Sequence, residues 1–471
     1  MSKEIPVRNV TPPPGDDRNY LTKKHVKIQP KWIEGRFQKL SDLTVLLTMG
    51  VYLVTPWLSW NGDPLIRFDL PARRFDILGL TFFPQDFFYL SLLLMIAAFA
   101  LLFFTNLVGR VFCGYVCPQT VWTRFFIRIE RMFEGDRGAR LKLDKAGMSF
   151  DKFWRKAGKH LFWLALALLT AITFVGYFSP IRDLVPRLAH LDLGVWEAWW
   201  LFFFTTATYT NAGWMREQVC LYMCPYARFQ SAMFDKDTLV VSYDPNRGEP
   251  RGRGQKRRGT SEEHKELGDC IDCGLCVQVC PTGIDIRDGQ QYECITCAAC
   301  IDACDQVMES IDKPRGLIRY TTEHALEGQP TNIIRPRLVG YGIVLGSLIT
   351  IFVTGLVLRV PVTLDVIRDR NALYVQTSDG MIENVYTLKV YNKSQDAHVY
   401  TISVDAPAGI AYRGPATVSL APAGAESIPV SLQIDPLHTQ PLNANVHFVV
   451  TAVDDSDIAV RTESRFISIG K

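Results

Sequence analysis

Eight of the twelve cysteines lie between residues 270 and 304, in two runs that share the spacing C-x2-C-x2-C-x3-C. Thiolates at this spacing bind the irons of a [4Fe–4S] cluster, and in two-cluster ferredoxins each run lends its fourth cysteine to the other cluster. The spacing therefore predicts two ligand sets, which are Cys270, Cys273, Cys276 with Cys304, and Cys294, Cys297, Cys300 with Cys280.

Structural zinc is the alternative for these runs, because zinc sites also use C-x2-C pairs. Zinc modules rarely contain two tandem four-cysteine runs at these gaps. Pro281 follows the first run, as in bacterial ferredoxins, whereas Asp305 takes that place after the second run. The pattern favours two [4Fe–4S] clusters, and with them electron transfer.

The other four cysteines form a second repeat, since residues 113–118 and 220–225 both read C-x-Y-x-C-P. An amphipathic stretch follows each motif, and each proline suits the first turn of a new helix. If the motif itself is helical, cysteines four apart point the same way. Two facing repeats could then offer thiolates to Cu(I), zinc or an iron–sulfur cluster. The candidate catalytic residues, as redox dithiols or copper ligands, are Cys113, Cys117, Cys220 and Cys224. Simple packing at helix ends is the alternative.

The composition fits membrane spans joined to soluble parts, with 48% hydrophobic residues and a net charge of +3. No cysteine follows Cys304, so we expect no disulfide framework and a reducing compartment for the cysteine-bearing part. The N-terminus is polar and basic, without the features of a signal peptide. Paired histidines within the apolar stretches and a glycine-rich dinucleotide fingerprint are both missing, which argues against haem, flavin and nicotinamide.

Five apolar stretches approach the length of about 20 residues that a membrane-spanning helix needs. They are residues 43–60, 87–108, 161–178, 195–214 and 338–358. The fourth contains Glu197, which we expect at the level of the lipid headgroups. Lysine and arginine concentrate before the first stretch and after the second and fourth, which places those segments in the cytoplasm. The N-terminus and both ferredoxin-type runs are then inside, and the C-terminus is outside.

The region after residue 360 is predicted to be all β. Residues 381–391, 398–404, 427–433 and 445–453 are rich in Val, Ile, Tyr and Thr, with turn residues between them. About 100 residues of such short strands predict an immunoglobulin-like sandwich. His398, His438 and His447 could bind copper there, although isolated histidines are more often surface or packing residues.

The predicted fold class is a multi-domain membrane protein, in which a five-span α-helical bundle carries an inserted two-cluster ferredoxin-like domain and a C-terminal β-sandwich. The predicted order is a cytoplasmic arm (1–40), helices one to four with both C-x3-C-P motifs (41–235), the ferredoxin domain (236–325), helix five (336–360) and a periplasmic sandwich (361–471).

This combination resembles the NapH/MauN-type membrane ferredoxins and, more closely, the FixG/RdxA family of cytochrome c oxidase accessory proteins (CcoG). The closer resemblance adds residues 313–320 (K-P-R-G-L-I-R-Y), residues 368–374 (R-D-R-N-A-L-Y) and the β-rich domain. It implies a multi-pass protein of the bacterial inner membrane that reduces Cu(II) to Cu(I) for the assembly of a cbb3-type oxidase.

The resemblance also implies partners. They are the membrane, copper ions, cbb3-type oxidase subunits or copper chaperones and an electron donor, with no nucleic acid; self-association is left open. Two other functions stay open as well. One is a quinol-linked electron conduit to a partner reductase, and the other is a non-catalytic scaffold for oxidase assembly.

Overall fold

The computed structural model describes residues 27–60, 62–252, 267–370, 372–435 and 443–468. Residues 1–26 of the predicted arm, the basic residues 256–258 and His438 lie outside these ranges. Helices dominate up to residue 357, and strands dominate after it.

The α-helices, numbered in chain order, are α1 Arg36–Val54, α2 Phe87–Val108, α3 Val111–Tyr115, α4 Pro118–Glu134, α5 Arg137–Lys145, α6 Phe150–Val175, α7 Ile181–Ala189, α8 Val195–Thr208, α9 Tyr226–Ala232, α10 Pro245–Gly248, α11 Leu275–Gln278, α12 Ala299–Ser310, α13 Glu323–Leu326 and α14 Pro336–Val357. Two π-helical segments are Tyr209–Met215 and Val219–Met223, and short 3-10 turns are Thr55–Trp57, Pro84–Asp86 and Ile286–Asp288.

The strands are β1 Ser59–Trp60, β2 Asp63–Pro64, β3 Ile66–Asp69, β4 Arg74–Ile77, β5 Leu80–Phe82, β6 Val240–Tyr243, β7 Ile318–Thr321, β8 Val362–Arg368, β9 Val375–Gln376, β10 Ile382–Asn392, β11 His398–Asp405, β12 Ala411–Arg413, β13 Thr417–Leu420, β14 Ala425–Ile434, β15 Asn443–Ala452 and β16 Ala459–Ile467.

Four helical segments of the described residues are long and apolar enough to cross a membrane, and they indicate a membrane protein. They are Arg36–Trp57, Pro84–Val108, Phe150–Val175 and Pro336–Val357. The other predicted span, 195–214, is also helical, because α8 continues into the π-helical Tyr209–Met215. Helix α6 begins well before the predicted residue 161, since the Ser149 side chain caps it by accepting a hydrogen bond from the Lys152 backbone N–H.

The apolar helices pack in two groups. Helix α2 lies against α14, where the Tyr89 hydroxyl donates to the Gly355 carbonyl over 2.8 Å. Helix α6 packs against α4 and α8. Tyr52 of α1 joins this second group by donating to the Thr170 carbonyl over 2.8 Å. Such hydrogen bonds satisfy polar groups that apolar surroundings leave without water.

The ferredoxin-type runs fold into a small lobe with α11, α12 and the antiparallel pair β6–β7. Val241, Ile286, Ile301 and Ile318 form its buried core. Asp302 of α12 accepts hydrogen bonds from the backbone N–H groups at the start of α1, which fixes the lobe to the first apolar helix.

The C-terminal residues form two antiparallel sheets, with the strand orders β12–β14–β10–β8 (β9 also pairs with β10) and β13–β11–β15–β16. Buried and partly buried residues alternate along β10, which matches a strand with one face in the core. Tyr386, Leu388, Phe448 and Phe466 fill the space between the sheets. The predicted immunoglobulin-like sandwich is confirmed.

The sandwich histidines do not form a copper site within the described residues. His398 begins β11, and His447 pairs with Asp405 at the other end of that strand, roughly 23 Å away at strand spacing. His398 Nδ1 instead contacts Asp454 Oδ2 at 2.7 Å.

The lobe formed by the ferredoxin-type runs, called the iron–sulfur lobe below, and the sandwich lie at opposite ends of α2 and α14. At one end, Gly109 after α2 packs on Val240 of the lobe. At the other end, Asp86 before α2 accepts from Lys393 of the sandwich over 2.7 Å. The two long helices therefore separate the two extramembrane parts.

Candidate metal centres

The first cysteine run and the end of the second surround one cavity. Its wall contains the four cysteines of the first predicted ligand set, Cys270, Cys273, Cys276 and Cys304. Cys276 lies on α11 and Cys304 on α12, so the packing of these helices brings the distant cysteine to the first run. This set of thiols fits a [4Fe–4S] cluster.

The second cavity is lined by the other predicted set, Cys280, Cys294, Cys297 and Cys300. Cys276 borders this cavity as well as the first, so the two cavities adjoin. The arrangement is compatible with the exchange of fourth cysteines; ligation itself stays a prediction.

The backbone repeats along with the cysteines. Asp272 and Gly274 have positive φ angles of 52° and 66°, and Thr296 and Ala298 at the equivalent positions have φ angles of 57° and 59°. Left-handed residues in such loops turn backbone N–H groups into a concave surface, as occurs around phosphates and iron–sulfur centres. Both loops are therefore shaped to donate hydrogen bonds to cluster sulfurs.

In these runs the thiols are too far apart to surround a single ion without moving. In the described part of the chain, no three His, Cys, Asp or Glu side chains are close enough together to hold a single metal ion. A zinc ion needs all four ligands around one atom, whereas each cysteine of a cubane binds a different iron and lies farther from the others.

Burial dominates the acidity of these thiols. It raises the pKa of Cys276 to about 11, and the pKa values of Cys294 and Cys304 to about 12. The free thiols therefore keep their protons at neutral pH, and binding of iron must release them.

The C-x3-C-P cysteines lie on either side of helix breaks. Cys113 is in the short α3 and Cys117 is the residue before α4, with a ψ of 128°. Cys220 is in the second π-helical segment and Cys224 follows it, with a ψ of 109°. A following proline disfavours the helical conformation, so the condition under which each pair would be i,i+4 neighbours on one helix is not met. The prediction that Pro118 starts a helix is confirmed.

The two motifs nevertheless meet. Burial raises the pKa of Cys113 to about 11 against the effect of Arg110, and the nearby Cys117 and Cys224 add to the rise. Burial also raises the pKa of Cys220 to about 12, with further contributions from Cys117 and Cys113. The four thiols are thus close enough to interact electrostatically. Since none of them forms a tight three-ligand group in the described residues, a single bound ion would draw them closer.

Polar side chains surround Cys113. Its thiol lies 3.2 Å from Gln230 Oε1 and 4.0 Å from Arg110 Nη2. Arg110 also donates to Gln230 Oε1 over 3.0 Å, and the Thr120 hydroxyl donates to the Cys113 carbonyl over 2.6 Å. Arg110 can therefore offset the negative charge of a thiolate here. No sequence pattern points to Gln230, because its approach to Cys113 depends on the fold of α9.

The C-x3-C-P site directly contacts the second cysteine cavity. Cys113, Ile295 and Cys297 belong to one buried cluster. A Cβ on Gly114 would lie 2.7 Å from the Ile295 carbonyl oxygen and 3.1 Å from Cys297 Cα, so only glycine allows this approach. The hydroxyl of Tyr115 donates to the Cys297 carbonyl over 3.4 Å.

A buried ionic cluster that the sequence did not reveal holds the surrounding helices together. Glu130 of α4 accepts from Arg216 over 2.8 Å and from Arg140 over 3.1 Å, and it also pairs with Lys27 and Lys159. Burial would raise the pKa of Glu130, but the charges and hydrogen bonds of Arg216 and Lys27 outweigh it and hold the pKa far below the usual range. The one sequence feature that could have suggested this cluster is the position of Glu130 among the apolar residues of an amphipathic helix.

Comparison with known proteins gives matches along the chain. Residues 215–323 match the family "4Fe-4S dicluster domain", residues 87–135 match "4Fe-4S binding domain", and residues 352–468 match "IG-like fold at C-terminal of FixG".

The "Nitrogen fixation protein FixG" of Rhizobium meliloti is 38% identical over 82% of this chain and 81% of its own length. "Protein RdxA" of Cereibacter sphaeroides is 40% identical over 81% of this chain and 83% of its own. The crystal structure of a FixG-related protein from Vibrio parahaemolyticus is 33% identical and covers 23% of this chain and 95% of its own, with a TM-score of 0.21.

Proposed function

Because the chain belongs to the FixG/RdxA family of iron–sulfur electron-transfer proteins, we propose that it reduces Cu(II) to Cu(I) for the assembly of a cbb3-type cytochrome c oxidase. The observation that carries this proposal is the contact of both C-x3-C-P motifs with the second cysteine run: Cys113 packs in one buried cluster with Cys297, and Cys220 lines one cavity with Cys297. A site for a soft metal then lies within contact distance of a site for an iron–sulfur cluster.

The two cavities would each hold one [4Fe–4S] cluster, with Cys270, Cys273, Cys276 and Cys304 as ligands in the first and Cys280, Cys294, Cys297 and Cys300 in the second. The clusters would supply the single electrons that convert Cu(II) into Cu(I). The surrounding Val241, Ile286 and Ile318 keep water away from them.

The thiols of Cys113, Cys117, Cys220 and Cys224 would bind the copper substrate. Sulfur ligands prefer Cu(I), so they make reduction more favourable and retain the product. Copper must displace the thiol protons, since burial keeps Cys113 and Cys220 protonated at neutral pH. Arg110 would then stabilise the Cys113 thiolate from 4.0 Å.

The proposed location is the bacterial inner membrane, with the iron–sulfur lobe in the cytoplasm and the sandwich in the periplasm. The separation of these parts by α2 and α14 supports it. The basic segments beside the lobe and its free thiols support a cytoplasmic lobe.

The deciding experiment adds Cu(II) to the chemically reduced, purified protein and follows cluster absorption together with a Cu(I)-specific chelator. We expect the clusters to oxidise while Cu(I) appears in equal amount. Unchanged cluster absorption would rule out copper reduction. A parallel titration of the oxidised protein with a quinol analogue tests the alternative of a quinol-linked conduit, which predicts that the quinol reduces the clusters and that copper does not oxidise them.

Replacing Cys113, Cys117, Cys220 and Cys224 by serine should abolish copper reduction and leave eight irons per chain, the content of two [4Fe–4S] clusters. Met223→Leu is the matched control, because its exposed thioether lies between two of these cysteines. Activity that survives the fourfold change would make these cysteines structural. A loss of iron beyond background would instead assign a cluster to them, as the match of residues 87–135 to a 4Fe-4S family allows.

A further inference from the structure

A cavity of about 100 Å³ lies between the membrane-side helices and the iron–sulfur lobe. Residues 28–33 of the N-terminal arm, one face of α4, the start of the second π-helical segment and the loops of the lobe line it. Its wall includes both Cys220 of the C-x3-C-P site and Cys297 of the second cysteine cavity. A molecule in this cavity would touch both cysteine systems.

Two arginines that line this cavity, Arg124 and Arg216, each have a buried N–H donor without a hydrogen-bond acceptor among the described residues. Arg216 is only 2% exposed; its Nε donates to the Gly213 carbonyl over 3.0 Å and its Nη2 to Glu130 over 2.8 Å. These two bonds hold its plane fixed. Within the described residues, Nη1 of Arg216 and Nη1 of Arg124 are buried and find no acceptor.

Buried N–H groups without acceptors are costly, so a ligand oxygen that reached either guanidinium would be favoured. Guanidinium groups bind the oxygens of carboxylates and phosphates in preference to neutral acceptors. Lys31 adds a further positive charge to the wall. Glu217 also lines the cavity and already has an interaction partner.

The rest of the wall is largely apolar, with Ile127, Val279, Pro281 and Ile295 among its residues. The cavity is about two-thirds the size of the ~150 Å³ apolar cavity that accommodates benzene in an engineered protein. It therefore has room for more than a single water, such as an oxyanion group with a small aliphatic part.

We propose that this cavity binds a small organic anion, whose carboxylate or phosphate oxygens accept hydrogen bonds from Arg124 and Arg216 and whose apolar part lies against Ile127 and Ile295. The ligand bridges the C-x3-C-P site and the iron–sulfur lobe. This site does not depend on copper reduction.

The test uses the full-length protein with its clusters intact. Calorimetric titrations with propionate and with inorganic phosphate examine soluble anions, and nanodiscs with and without an anionic lipid examine a lipid headgroup. We expect at least one of these oxyanions to bind. The electron paramagnetic resonance signal of the reduced protein should shift on binding, because Cys297 lines the cavity.

Arg124→Gln should weaken binding about tenfold or more, since a charged hydrogen-bond donor is lost. Arg124→Lys keeps the charge without the planar fork and should bind with intermediate affinity. Arg155→Gln is the control, because Arg155 is exposed, pairs with the exposed Asp151 and does not line the cavity. Failure of all the oxyanions to bind, or equal affinity in Arg124→Gln and the unchanged protein, would overturn the proposal.

Discussion

At position 114 the absence of a side chain decides how closely the two cysteine systems approach. A Cβ there would meet the backbone of Ile295 and Cys297, which cannot move aside as a flexible side chain could. We expect Gly114→Ala to destabilise the contact by about 1–3 kcal/mol, as overpacking does, and to slow copper reduction while the iron content stays unchanged. Gly138→Ala is the control, because nothing lies within 4 Å of its added Cβ. Equal rates in the two variants would show that electrons do not cross this contact.

If the C-x3-C-P site binds copper as proposed, its thiols should give that binding a pH dependence. Burial raises the pKa of Cys113 to about 11 and that of Cys220 to about 12, so protons compete with the metal throughout the neutral range. Raising the pH weakens this competition, and Cu(I) affinity should rise about tenfold per pH unit for each proton displaced. Competition with a Cu(I) chelator between about pH 6 and 8 measures the slope. A flat profile would contradict thiol ligation.

At the scale of elements, Glu130 joins α4 to α5, to the arm and to the end of the first π-helical segment. Glu130→Gln leaves Arg216 and Arg140 buried without their shared counter-charge, which should cost about 3–5 kcal/mol. The midpoint of thermal unfolding measures the loss. Glu323→Gln removes a carboxylate from an exposed pair and should change little. Similar midpoints in both variants would mean that the cluster is not needed for stability.

The same cluster should make the protein sensitive to acid. The pKa of Glu130 is lowered in the folded protein, so its stabilising contribution is complete above the unfolded value of 4.5 and is lost as the pH falls below it. In Glu130→Gln, the free energy of unfolding should therefore lack this decrease at low pH. If the variant loses stability at low pH as much as the unchanged protein does, other carboxylates cause the loss.

The elements differ in how far the sequence predicts them. Apolar length identified α2 and α14, and alternation identified β10 and β15, because both signals are local. The cysteine spacing likewise predicted which thiols share each cavity. The π-helical Tyr209–Met215 and the cluster around Glu130 depend on contacts between distant segments, which no local pattern reports. The C-x3-C pairs do not lie on single helices, and the prolines that follow them already indicated a break.

At the scale of the whole molecule, redox chemistry and the sandwich are held apart. The lobe and all twelve cysteines lie toward one end of α2 and α14, and the sandwich lies at the other. A mere electron conduit would not need the sandwich. Its attachment at the other helix ends places it away from the cysteines and their electron transfer.

The attachment of the sandwich depends on Asp86, at the start of α2. Its carboxylate accepts from Lys393 over 2.7 Å and from Arg359 over 3.0 Å, and all three side chains are less than one-tenth exposed. Asp86→Asn leaves two buried cations without a counter-charge, so the sandwich should loosen and the link after α14 should be cut faster in limited proteolysis. Iron content and copper reduction should not change, because both depend on the opposite end of the helices. Asp379→Asn, in an exposed turn of the sandwich, should leave proteolysis unchanged. A parallel loss of iron in Asp86→Asn would mean instead that the two ends are coupled through α2 and α14.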